Sequence, residues 1–331
     1  MTQIVLQLGL ILSLVNPFGL LGAALSAPHY SVTDLGTLGG GFSAAYGVNS
    51  SGQVAGDSLN GSLSYHAFLY SNGAMQDLGT LGGPQSFGLA INASGQVAGF
   101  ADTLTGHHAF LWQNGTMQDL GTLGGLDSTA NGINDLGQVT GQAERPGDIF
   151  DAFIWSNGTM TDLGISGGGA AINRSGQVAG TTGLPSRAFL YSGGQVTILG
   201  TLGGSDSQGN DINDAGQIVG NANVPGDSFH GFVWQNGRMR DLGLLPNGTN
   251  SYAYAINNLG QVVGVGMIRH NGQLVNHAVL WMRGHIADLN QRIPAGSGWE
   301  LNDALAISED GKIAGFGVHN GQTRAFLLTP Q

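Results

Sequence analysis

Asp77-Leu-Gly-Thr-Leu-Gly-Gly83 recurs intact from Asp34 and Asp119, and in eroded form from Asp162, Ile198, Asp241 and Asp288. Between the copies lie seven Gly-(Gln/Lys)-hydrophobic-x-Gly segments, starting at Gly52, Gly95, Gly137, Gly176, Gly216, Gly260 and Gly311. Seven Ala-Phe-Leu-Tyr/Trp-like segments keep step, centred on Phe68, Phe110, Phe153, Phe189, Phe232, Val279 and Phe326. A unit of about 43 residues therefore repeats seven times, and the two chain ends cut it at different points.

Working outward from Asp77, the second unit shows what one repeat builds. Ser86 to Asn92 alternates small and large residues with the period of a strand, and Asn92-Ala-Ser-Gly95 has the composition of a tight turn. Gln96 to Ala101 is a second strand, His108 to Trp112 a third, and Asn114-Gly115 a hairpin turn into a fourth from Met117 to Thr122. Two positions in each first strand stay small: Ala45, Gly88, Ala130, Gly169, Gly209, Ala253 and Ala304, then Gly47, Ala90, Gly132, Ala171, Asp211, Ala255 and Ala306. Small side chains suit strands crowded around an axis, and Asp211 is the exception. Ser31 to Thr37 is a lone fourth strand, and the chain ends just after a third strand at Phe326. The expected fold is all-β: a seven-bladed β-propeller of four-stranded antiparallel blades, the last blade closed by the N-terminal strand. A β-solenoid is the rival reading, but its coils are usually shorter and need no such offset.

His66-Ala-Phe and His108-Ala-Phe, the Asp-Leu-Gly-Thr-Leu-Gly-Gly phrase and Ile-Asn-x-x-Gly-Gln-Val together resemble the bacterial extracellular HAF repeat family. The resemblance covers essentially everything after the N-terminal segment. It implies an exported protein and supplies no catalytic residues. The middle units depart from its pattern, with Arg187 in the His seat and Leu244-Leu245-Pro246 replacing Thr-Leu-Gly.

Composition narrows the function classes. Gly is 59 of 331 residues, yet it recurs at fixed places among Val, Ile, Phe, Leu and Trp, so a core can be buried. Only 9% of residues are charged and the net charge is −11, which argues against a partner of nucleic acid. Cysteine is absent, which excludes disulfides, thiolate metal sites and a cysteine nucleophile. Residues 1–33 hold no Asp, Glu, Lys or Arg, Ile4 to Val15 is largely apolar, and Ala24-Leu25-Ser26 has the spacing of a cleavage site. These features predict a signal peptide over residues 1–26, a propeller over 27–331, and an extracellular or cell-surface location. An uncleaved membrane anchor is the alternative, since Ile4 to Leu25 is about long enough to span a bilayer.

No residue pattern announces catalysis. His66, His108, His230 and His277 occupy one seat in four units, and equivalent seats around a ring are too far apart to share a metal. The Asp column reads as strand-end hydrogen bonding, although Ile198 breaks it without visible compensation. The Tyr/Trp column at Tyr70, Trp112, Trp155, Tyr191, Trp234 and Trp281 reads as sheet packing. There is no Gly-x-Ser-x-Gly elbow and no phosphate loop. Function is expected where the repeat is irregular, on the face carrying the variable loops and Leu-Gly-Gly connections. One seat before each first strand varies there: Phe42, Gln85, Asp127, Asp206, Asn250 and Leu301, joined by Trp299. The first five with Trp299 are the ligand-binding candidates. An acidic mouth with one aromatic suits a cation such as calcium, or a polar ligand; the same residues also read as an ordinary solvated rim. The expected role is a binding or scaffold module for an extracellular protein or glycan. A polysaccharide- or glycoside-cleaving enzyme at the channel mouth is the alternative, by analogy of fold.

Overall fold

A computed structural model describes residues 27–331, so the signal-peptide expectation for residues 1–26 lies outside the described residues. The described residues are almost wholly antiparallel strand, with one 3-10 turn at Leu289–Gln291. Among them, no helix is long and apolar enough to cross a membrane. Strands join in order, inner to outer, into sheets that follow one another around an axis. The first sheet is Gly39–Val48, Val54–Asn60, Tyr65–Ser71 and Ala74–Asp77. The second is Ser86–Ile91, Val97–Asp102, His107–Gln113 and Thr116–Asp119. The third runs from Ser128–Ile133 through to Gln195–Ile198. The fourth begins at Ser207–Ile212 and ends at Arg238–Asp241, and the fifth begins at Gly248–Ile256 and ends at His285–Asp288. The sixth holds Trp299–Ile307, Ile313–His319 and Gln322–Pro330, with Tyr30–Asp34 on its outer edge.

All-β propeller architecture is present, but the expectation of seven separate four-stranded blades is corrected. Five sheets are four-stranded, and the third has seven strands. The cause is a shortened connection. Asp119 and Ser128 stand nine positions apart, whereas Asp162 and its counterpart Gly167 stand only five apart. The Leu-Gly-Gly loop has no room to form, so Thr159–Ile172 runs as one 14-residue strand. Its first half pairs with Ile149–Ser156 and its second with Val178–Thr182.

The role expected of the N-terminal strand is also corrected in detail. Tyr30–Asp34 pairs with Gln322–Pro330, from Tyr30↔Pro330 to Asp34↔Phe326, so the two ends of the described residues meet inside the sixth sheet. The joint between the sixth and first sheets is not made by strand pairing. Ala45, Val48, Val54 and Phe68 pack there against Ala306, Ala314, Ala325 and Leu327. Lys312 Nζ donates to the Ser50 carbonyl across it at 3.0 Å.

Two polar belts hold neighbouring sheets together. In the first, a buried Asn in the turn after six of the seven inner strands accepts from backbone N–H groups of its own turn through Oδ1 and donates Nδ2 to the next unit. Asn49 reaches Asn92 O, Asn92 reaches Asn134 O, Asn134 reaches Asn173 O, Asn173 reaches Asn213 O, Asn213 reaches Asn257 O, and Asn257 reaches Ser308 O, at 2.9–3.1 Å. In the second, Ser43, Ser86, Ser128, Ser207 and Ser251 each bond a Leu-Gly carbonyl seven or eight residues back and accept a backbone N–H from a neighbouring sheet. Buried polar groups in these seats are satisfied by design of the repeat, which is why Asn and Ser recur among apolar neighbours. The inner strands approach one another closely. A Cβ on Gly132 would lie 2.9 Å from the Ala170 carbonyl oxygen and the Ala171 Cα, so backbone contact leaves no room for a side chain at that seat.

Candidate functional site

Every inner strand carries an irregularity between its two small positions. The register skips one residue between Ala45 and Gly47, Gly88 and Ala90, Ala130 and Gly132, Gly169 and Ala171, Gly209 and Asp211, Ala253 and Ala255, and Ala304 and Ala306. The skipped residues are Tyr46, Leu89, Asn131, Ala170, Asn210, Tyr254 and Leu305, and all seven line one axial cavity of about 250 Å³. A bulge adds a residue and re-aims its side chain, so here it creates a ring of variable positions facing the axis. Strict period-two alternation does not reveal that ring.

The channel wall is polar on one side. Asn131 Nδ2 donates to Gly169 O at 2.9 Å, and Asn210 Nδ2 donates to Ala253 O at 2.8 Å. Asp211 also lines the cavity. It is not unpaired: its carboxylate accepts from Ile212 N and Ile256 N, both at 2.8 Å. Burial pushes its carboxyl up to about 7, partly offset by those two backbone donors. Burial, followed by the negative charge of Asp57, raises the Tyr46 phenol, and burial pushes the Asp57 carboxyl up to about 6. Asp57 is 2% exposed, and its Oδ1 has no partner among the described residues. Burial, followed by the negative charge of Asp303, raises the Tyr254 phenol.

The variable seats fall at the loop end of the sheets, and most of them perform backbone work. The Asp127 carboxylate accepts from His107 N at 2.9 Å and lies 3.2 Å from His107 Nδ1. Asp206 accepts from Ser186 N at 3.0 Å, with the Ser205 hydroxyl holding its carboxyl below the usual range. Asn250 Oδ1 accepts from Phe229 N at 2.9 Å. These three tie each inner strand to the start of the preceding third strand. Gln85 receives Asp102 N on its carbonyl, and Phe42 receives Ser58 Oγ. Trp299 stacks on His319 with centroids 4.6 Å apart and planes 7° apart, and it meets Phe326 edge-on. None of the six candidates lines the axial cavity. No three acidic or His side chains converge as a metal site among the described residues.

Two candidates mark the ends of something larger. Phe42 contacts Tyr65 edge-on at 5.6 Å, Tyr65 stacks on Phe87 at 5.7 Å, Phe87 stacks on Phe100 at 4.7 Å, and Phe100 meets His107 at 5.3 Å. With His107 held by Asp127, this is a continuous half-buried aromatic ladder across the loop end of the first two sheets. Tyr65 stands one strand beyond Asp57, which neighbours the channel-lining Tyr46. A second stack, Phe229 on Tyr252 at 5.8 Å, stands at the same end of the fourth and fifth sheets. Tyr65, Phe87 and Phe100 were not singled out from sequence, because no repeat phrase contains them.

The His and Asp columns, read separately in sequence, form pairs. His66–Asp77, His108–Asp119, His230–Asp241 and His277–Asp288 lie at 2.7–2.8 Å. In five of the Asp-Leu-Gly copies the Asp also accepts the N–H of the glycine two residues on, at 2.7–2.8 Å. The sixth sheet keeps the pair by another route, His319 to Asp34 at 2.8 Å. Ile198 is compensated after all: Arg187 occupies the opposing His seat and bonds the carbonyls of Ser186 and Ser205.

No protein-family model matches this chain, and no curated protein matches it either. Among solved structures it is similar to a puromycin-hydrolysing peptidase of Mycobacterium tuberculosis, with a TM-score of 0.54, 12% identity, and coverage of 92% of this chain and 54% of that one. TolB from Acinetobacter baumannii aligns with a TM-score of 0.49, 15% identity, and coverage of 88% and 65%. A gluconolactonase from Xanthomonas campestris aligns with a TM-score of 0.46, 10% identity, and coverage of 93% of each chain. The chain thus spans about two thirds or less of the first and second of these proteins. The overlap with the peptidase supports the propeller fold and nothing finer.

Proposed function

We propose that this propeller is a binding module whose contact surface is the loop end of the first two sheets, and that its ligand is a glycan. The observation that carries the reading is the aromatic ladder from Phe42 to His107. The apolar surface of the ladder, flanked by the Gln85 side chain, offers van der Waals contact and directional hydrogen bonds together, the combination a sugar ring requires. The HAF-like repeats and the N-terminal segment support an exported or surface-exposed setting for such a module. The cleavage alternative has less behind it, because Asp127 and Asp206 are already engaged with backbone N–H groups.

Native electrophoresis in gels containing neutral or acidic polysaccharides tests this. At least one polymer retards the wild type, and Tyr65→Ala with Phe87→Ala weakens retention about tenfold, a loss of roughly 1.4 kcal/mol. An Asn114→Ala variant, changed at a hairpin tip on the other end of the sheet, retains binding. Retardation by none of the polymers, or by the same amount in the double variant, overturns the proposal.

A further inference from the structure

We infer a second site, independent of the loop-end surface: a groove between the fourth and fifth sheets that binds a compact, ring-bearing organic carboxylate. The groove holds about 280 Å³ and opens onto an adjoining hollow of about 330 Å³. Its apolar floor includes Leu242, Val262 and Trp281, and Arg240 and Arg283 stand over it, with Arg238 in the adjoining hollow. Three of the ten basic residues of a chain with net charge −11 are therefore gathered at one place. None of the three takes part in an ion pair among the described residues.

Two further observations point to a ligand. Arg283 sits at φ +53° in the hairpin turn where other units have Asn72, Asn114, Asn157, Asn236 or Gly193 at φ of +50° to +57°. Asn and Gly tolerate that backbone region and a long side chain seldom adopts it, so this unit keeps Arg against local preference. Trp281 lines the groove at 3% exposure, and its Nε1 is buried without a partner. The other tryptophans of its column, Trp112, Trp155 and Trp234, leave no such orphan. A guanidinium presents paired donors that match a carboxylate, and a flat body lies against Trp281 and Leu242.

The test is a titration of ¹⁵N-tryptophan-labelled protein followed by NMR, with the Trp281 indole signal assigned from Trp281→Phe. The probes are D-glucuronate and benzoate, with glucose and benzyl alcohol as their neutral counterparts. At least one acid shifts the Trp281 signal saturably with Kd of about 1 mM or tighter, and the neutral analogues do not. Binding by the Arg240→Gln/Arg283→Asn variant weakens about tenfold or more. That variant places at 283 the residue other units already use there, so it keeps its fold, as the remaining four indole signals report. Response to glucuronate alone identifies an acidic sugar, and response to benzoate as well identifies the carboxylate and ring as sufficient. No shift with either acid at about 20 mM, equal shifts with the neutral analogues, or undiminished shifts in the double variant overturn the inference.

Discussion

Replacing Asn134 by Ala tests the belt that joins neighbouring sheets. Asn134 is 5% exposed and makes four side-chain hydrogen bonds. Nδ2 donates to Asn173 O at 2.9 Å and to Gln138 Oε1 at 2.8 Å, while Oδ1 accepts from Leu136 N and Gln138 N at 3.0 Å. At a net value of about 0.5–1.5 kcal/mol each, and with water able to replace part of the bonding at the exposed Leu136, the loss is roughly 2–4 kcal/mol. Asn134→Asp separates the two functions. It keeps both acceptor bonds but loses both donors and sets a carboxylate oxygen against two other oxygens, so at neutral pH it costs at least as much as Ala. Asn114→Ala is the control: Asn114 sits at an exposed tip with φ +51°, where the backbone preference alone is worth about 1 kcal/mol. Urea unfolding, followed by tryptophan fluorescence and far-UV circular dichroism, reads the midpoints at constant slope. If Asn134→Ala costs no more than Asn114→Ala, or Asn134→Asp is as stable as wild type, the inter-sheet bonds do not hold the ring.

Stability also depends on pH in a stated direction. The Asp57 and Asp211 carboxyls are raised to about 6 and about 7, so the folded state keeps protons that the unfolded chain has already released. Their contribution is full below about pH 4 and is lost as pH rises through 6 to 7. The hydrogen bond to Asp288 raises His277, whose contribution is present below about 6.5 and is lost as pH rises through its folded value. Urea midpoints therefore fall from pH 5 to pH 8, and Asp211→Asn flattens the fall; identical slopes for variant and wild type contradict this. At the acid end Asp288 acts oppositely. Burial pushes its carboxyl up, but bonds from His277 and Asn290 outweigh it, and the net lowering is lost as pH drops below about 4. A double-mutant cycle on His66 and Asp77 yields a coupling of about 0.2–1 kcal/mol, the range for a partly solvated pair. Asp77→Ala costs more than His66→Ala in that cycle because it also frees Gly79 N, and equal single costs would contradict the capping role. Gly132→Ala lowers stability by about 1–3 kcal/mol, since its Cβ meets backbone atoms that cannot swing away. A neutral result in the same urea assay would show that the inner strands have slack.

Much of the fold was legible because the repeat exposes its own phase. Asn92-Ala-Ser-Gly and Asn114-Gly mark turns by local backbone preference, and the strands they bound are the ones observed. The fused third sheet was legible only as arithmetic, in the four residues missing between Asp162 and Gly167. Reading that copy as merely eroded hid the consequence. The His and Asp columns were visible one at a time, but their pairing depends on register across the sheet, which puts Phe68 opposite Asp77 and brings His66 to it. The axial ring was hidden because a bulge breaks the alternation that assigns side chains to faces.

The chain itself determined the unit, its turns, its small inner positions and the offset of its ends, since all of these follow from preferences acting within a few residues. The tertiary structure decided how many sheets those units make, which polar columns pair, and which side chains reach the axis or line a groove. Those outcomes arise from contacts between residues roughly one repeat or more apart, whose spacing is set by packing between sheets and not by any local preference.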